Sequence, residues 1–184
     1  MFGKAFGICL LWLAIAVSYA AGQSNNQAQA QEGYAEGRFN VWTTGTVFRE
    51  NIGKAADDVK IRVGTHKGYD RIVFELKGDL PTFSVAYQTL PFELYDSSEI
   101  YNVRGKAFME ITFIPFNYSE KNYNTPVDLK KSSQPNLRTP LISDFRSLGW
   151  FEGEIRYAIG LKARRPFRVQ VLSNPTRLVI DFKS

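Results

Sequence analysis

The sequence predicts an all-β protein, a two-sheet β-sandwich with little or no helix outside its N-terminal leader. Three observations predict it. Apolar and polar residues alternate with period two in run after run, and successive side chains of a strand point to opposite faces. Turn chemistry separates the runs, at 64–68, 77–81, 149–153 and 173–175. A hydrophobic fraction of 44%, with 14% aromatic residues, supplies a sizeable core without disulfide staples. That composition excludes a disordered chain, a collagen and a multi-span membrane protein.

Residues 1–22 read as a secretory signal peptide: Lys4 in a short n-region, an apolar run Ile8–Val17, then small residues around Ala20. The run is too short to span a bilayer core, which needs about 20 residues, so no integral membrane span is expected after cleavage. Cleavage also removes Cys9, the one cysteine. The mature chain then has no disulfide and no thiolate metal site. A cysteine-free exported protein points to a bacterial periplasm or cell envelope. Residues 23–37, opening with the uncharged run Gln23–Gln31, form a polar low-complexity spacer. Residues 38–184 form one β domain.

Within it, Val59, Ile61 and Val63 alternate with Lys60 and Arg62. Ile72, Phe74 and Leu76 alternate with Arg71 and Glu75, and Phe83, Val85 and Tyr87 continue the pattern. Met109, Ile111 and Phe113 define the next strand, and Leu141–Leu148, too short for a good helix, the one after. Ile155, Tyr157, Ile159 and Leu161 follow, then Phe167, Val169 and Val171. Arg177–Phe182 is apolar at nearly every position and is expected to be more deeply buried. The stretch Phe116–Pro140 is long for a structureless loop and is therefore a candidate for function.

Enzyme signatures are missing. His66 is the one histidine, so the usual His-rich zinc set and a Ser-His-Asp elbow have little to build on. Neither phosphate-loop motif occurs. Two carboxylates could still cleave a glycosidic bond, which leaves a small glycan hydrolase as the weakest of three functional classes. A non-catalytic binding module is the leading class, and a protein-interaction module of an envelope assembly is the alternative. No catalytic residue, metal or cofactor is assigned. The net charge of +5 is too modest to suggest nucleic acid as partner.

Asp70–Leu76 and Thr176–Phe182 share one pattern: Arg, three apolar residues, an acid and a final apolar residue. Together with Val63–Arg71, Phe151-Glu152-Gly153 and Arg164–Val169, these segments resemble the AMIN-like domain of bacterial exported proteins and lipoproteins. That family is related to the AMIN domain of cell-wall amidases and pilus secretins. The likeness spans about Val59 to Phe182. It implies a β-sandwich in the envelope without catalytic activity, with peptidoglycan or another wall glycan as ligand. The chain carries neither an amidase domain nor a lipobox.

Two groups of residues follow. His66, Asp70, Arg71, Phe151, Gly153, Arg177 and Asp181 carry the motif and are expected to be structural. In that reading Asp70 bonds backbone around the 66–71 turn, Arg71 pairs with Asp181 or Glu75, Phe151 plugs the core, and Gly153 takes a conformation other residues avoid. Trp42 and Trp150 read as packing residues. The ligand candidates are Asn117, Tyr118, Asn122 and Tyr123, which combine side-chain amides with flat aromatic faces suited to sugars. Arg164 and Arg165 join them, within a basic cluster that also holds Lys162 and Arg168, because guanidinium forks match carboxylates and phosphates. Both sets are expected on loops at one end of the sandwich.

Overall fold

A computed structural model describes residues 39–94, 97–117 and 137–184, all inside the unit Tyr34–Ser184. The leader, the spacer and residues 118–136 lie outside the described residues. Eleven strands run in order: β1 (Val47–Arg49), β2 (Ala56–His66), β3 (Tyr69–Gly78), β4 (Thr82–Gln88), β5 (Phe92–Leu94), β6 (Ser97–Tyr101), β7 (Ala107–Ile114), β8 (Ile142–Phe151), β9 (Glu154–Leu161), β10 (Phe167–Leu172) and β11 (Arg177–Lys183). Among the described residues there is no helix, and hence none long and apolar enough to cross a membrane.

The strands form a sandwich of two antiparallel sheets. One has the order β1-β4-β7-β9-β8, the other β10-β11-β3-β2. Their facing sides carry the alternate apolar residues: Ile72, Phe74, Leu178, Ile180 and Phe182 from the smaller sheet meet Val85, Ile111, Phe113 and Tyr157 from the larger. Phe74 sits at the centre, 5.6 Å from the Phe113 ring and 5.4 Å from Tyr157. All eight alternating or short runs read from the sequence form strands, the run Leu141–Leu148 joining β8 from Ile142 on. The β1 segment and the β5–β6 hairpin are additional.

That hairpin and the following chain cover part of the larger sheet's outer side. There Phe92, Val103, Leu148 and Ala158 form a second small apolar cluster, with Phe108 packed on it. Among the described residues the outer side of the smaller sheet has no such cover.

Phe151 corrects one expectation: it is 44% exposed and plugs nothing. A bulge between Ser147 and Gly149 shifts the alternation of β8, so that Trp150 opposes Ile155 and Phe151 opposes Glu154. Trp150 takes the inward place, packs on the core and donates its Nε1–H to the Phe116 carbonyl at 3.1 Å. The hairpin between β8 and β9 turns on two residues with positive φ, Glu152 (47°) and Gly153 (84°). Two such residues make a type I′ turn, whose twist matches that of the flanking strands.

Asp70 also differs from its expected role. It is fully buried on the inner side of β3, and its Oδ2 accepts the Leu141 N–H at 2.7 Å, 71 residues along the chain. It ties the start of β8 to the smaller sheet instead of closing a local turn.

Candidate functional site

Register determines which side chains share the open face of the smaller sheet. Directly opposed residues point the same way, and one row across the sheet reads Gly64, Arg71, Asp181, Arg168. Asp181 is fully buried beneath this row. Arg71 donates Nε–H to Oδ1 at 2.6 Å and Nη2–H to Oδ2 at 2.9 Å, a parallel fork. Arg168 Nε–H and Gln170 Nε2–H reach Oδ2 at 2.8 and 3.0 Å. Four donor contacts satisfy the carboxylate, as a buried charge requires. The bond to Asp181 raises the Arg71 pKa, against the opposing effect of burial.

Aromatic rings border the row. The Arg71 and Arg168 guanidinium carbons lie 5.2 and 5.3 Å from the Tyr69 ring centre, and Arg168 is 4.8 Å from Trp42. His66 stacks on Tyr69 at 4.8 Å and is itself exposed, so it forms the outer surface of that stack. Trp42 arrives from before β1, where Phe39 and Thr43 bridge to Val169 and Phe167 of β10. The Nε–H of Arg168 is committed to Asp181, and its Nη groups meet no acceptor among the described residues.

The same rule counts the charge of the whole face. β2 contributes Asp58, Lys60 and Arg62, and β3 contributes Arg71, Glu75 and Lys77. Arg177, Asp181 and Lys183 come from β11 and Arg168 from β10. Seven cations against three carboxylates leave +4, nearly the net +5 of the entire sequence. On the outer side of the larger sheet, Glu110, Asp144 and Glu154 meet Arg146, Arg156 and Arg104, the last reaching Asp144 at 3.4 Å from the covering chain, so these charges cancel. Arg156 lies 3.7 Å from Glu110 and 3.9 Å from Glu154. Burial pushes both of these carboxyls above their ordinary pKa; Arg156 opposes this at each, and the Thr112 hydroxyl also does at Glu110.

Arg164 and Arg165 sit in the β9–β10 turn, which docks on Tyr87. The Tyr87 hydroxyl donates to the Arg165 carbonyl at 2.6 Å and accepts the Arg165 N–H at 3.0 Å. Arg164 lies 4.3 Å over the same ring and donates to the Thr44 carbonyl at 3.3 Å. Burial raises the Tyr87 pKa, opposed by the Arg165 backbone bond and the Arg164 charge. The turn therefore adjoins Trp42 and the Arg168 row. Arg177, at the far end of β11, donates to the Pro175 carbonyl at 3.2 Å and belongs to the turn before its strand.

Asn117 is elsewhere. Its N–H bonds to the Ala56 carbonyl at 2.7 Å, at the end of the sandwich where β7 finishes and β9 begins. Arg164 and Arg165 follow the other end of β9, so Asn117 and the two arginines lie at opposite ends of the sandwich. Tyr118, Asn122 and Tyr123 lie outside the described residues. Alternation puts Arg71, Arg168 and Asp181 each on the polar side of its strand, and the register brings them into one row. The presence of Tyr69, His66 and Trp42 around it needed the hairpin register and the bridges before β1.

A family model described as AMIN-like domain matches residues 57–184. A search of curated proteins found no match.

Proposed function

This chain belongs to the AMIN-like domain family, and from that premise we propose that it is a non-catalytic binding module of the bacterial cell envelope whose ligand is peptidoglycan or another envelope glycan. The observation that carries this reading is the open aromatic and guanidinium row: Trp42 and the His66–Tyr69 stack flank Arg168, whose Nη groups meet no acceptor among the described residues. Rings supply flat faces for sugar C–H groups, and the guanidinium supplies donors for hydroxyl and carboxylate oxygens. The sheet supports the guanidiniums and the His66–Tyr69 stack, and the bridges at Phe39 and Thr43 hold Trp42 beside them, so the contact surface is set before the ligand arrives and little ordering entropy is lost on binding. In this reading residues 1–22 direct export, the spacer separates the domain from the cleavage point, and Arg164 and Arg165 extend the row at its edge.

Co-sedimentation with purified sacculi tests the reading. The protein should pellet with sacculi, and the His66→Ala/Trp42→Ala variant should pellet less while keeping its circular dichroism spectrum. Absence of pelleting by the parent protein would end the glycan reading in favour of a protein partner. Release of labelled wall fragments by the parent would replace it with hydrolysis. Asn117 stands at the opposite end of the sandwich, and contact through the group Asn117, Tyr118, Asn122 and Tyr123 is tested separately from the row. A Tyr118→Ala/Tyr123→Ala variant tests that contact in the same assay.

A further inference from the structure

We infer that the whole outer face of the smaller sheet, and not a loop cluster, is a track for an anionic glycan strand that carries carboxylates. The inference rests on the glycan-binding reading above and adds the chemistry and the surface.

Charge placement carries it. The face bears +4 while the charges described on the outer side of the larger sheet cancel, so the basic excess is one-sided. A protein whose basic excess served only solubility would have no reason to collect it on one side. The cations are spread over four strands, from Lys60 and Arg62 on β2 to Arg168 on β10. Neighbouring strands are about 4.8 Å apart, so this span is on the order of 14 Å, beyond the reach of one small anion. A polymer with repeated carboxylates can meet several of these cations at once, each contact weak and the sum strong. Asp181 already supplies one carboxylate to Arg71 and Arg168, and Arg168 keeps its Nη donors for another. The guanidinium rows of the face are thus fitted to carboxylate geometry.

A membrane surface fits less well. Interfacial binding needs projecting apolar side chains beside the cations. Of the most exposed apolar residues, Phe151 and Ile114 belong to the larger sheet and Ile52 to the loop before β2. The strands of the cationic face offer Leu172 from that group, and Val41 beside Trp42 borders it, too few to anchor a sheet in a bilayer interface.

The test compares two doubly neutralised variants of the purified protein. Lys60→Gln/Lys183→Gln removes two exposed charges from the face, and Lys106→Gln/Arg138→Gln removes two exposed charges elsewhere. The net charge of the protein falls equally in both. Each is measured by co-sedimentation against native sacculi, sacculi with carboxylates amidated, and phosphatidylglycerol vesicles, at two ionic strengths. The inference expects native sacculi to be bound and amidated sacculi to be bound more weakly. The face variant should lose about three- to tenfold in affinity at low salt, with the remote variant unchanged. Equal binding of native and amidated sacculi, or equal loss in both variants, would overturn the charged track while leaving the glycan reading intact. Failure to bind either form of sacculi would overturn both. Binding to vesicles alone would make the face a membrane surface and contradict the inference.

Discussion

Arg71 and Asp181 are 110 residues apart in sequence and meet through two parallel hydrogen bonds of 2.6 and 2.9 Å. The contact joins the two Arg-initiated segments of the chain, one supplying its first residue and the other its acid. It exists because β3 and β11 are antiparallel neighbours in a register that opposes these two positions. It is both the structural centre of the open face and the support on which Arg168 is oriented.

Removing the acid should therefore be costly. Asp181→Asn leaves two guanidiniums over a buried amide, and breaking a buried pair in this way costs about 3–5 kcal/mol. Arg62→Ala removes an exposed partner of Glu75 (side chain 52% exposed) and should cost less than about 1 kcal/mol. Urea denaturation of both variants checks the contrast, with a large fall in midpoint expected for the first alone.

The turn between β8 and β9 makes a second prediction. A Cβ on Gly153 would meet nothing within 4 Å, so a substitution there is penalised by backbone conformation alone. Gly153→Ala should destabilise by about 1–2 kcal/mol. Glu152→Asn should stabilise slightly, since Asn accepts positive φ more readily in a type I′ turn. Thermal unfolding of the two variants should shift in opposite directions.

A third prediction concerns pH. Burial, the larger influence, raises the Glu110 carboxyl above its ordinary value. The folded protein then holds this proton more tightly than the unfolded chain does. The resulting stabilisation is fully present below the unfolded-state value and is lost as pH rises through the folded-state value. Glu110→Gln removes this dependence. Relative to the variant, the parent should be more stable near about pH 4 than near about pH 7. Denaturant unfolding at the two pH values measures the difference.

Alternation made the core strands legible, since it depends only on which side of a sheet each residue faces. Arg177–Phe182 is buried from Leu178 to Phe182, as its apolar run predicts. Val179 nevertheless points outward, buried beside Val73 and Gln170 in its row and not within the central core. Other elements were hidden for identifiable reasons. β1 and β5 are three residues long, too short for a period to register. The exchange of places between Trp150 and Phe151 follows from a bulge, and one inserted residue reverses every later side chain. Charge clustering in sequence drew attention to Arg164 and Arg165. The larger basic surface is assembled from four strands, so only the register between them reveals it.

The central claim is that the open face of the smaller sheet holds an envelope glycan, and chemical-shift mapping tests it most directly. Soluble peptidoglycan fragments titrated into isotopically labelled protein should shift the amide or side-chain signals of Trp42, His66, Tyr69, Arg168 and Gln170. The signals of Glu110, Arg156 and Phe151, on the opposite side, should stay in place. Shifts confined to that opposite side, or no shifts at saturating fragment concentration, would contradict the claim.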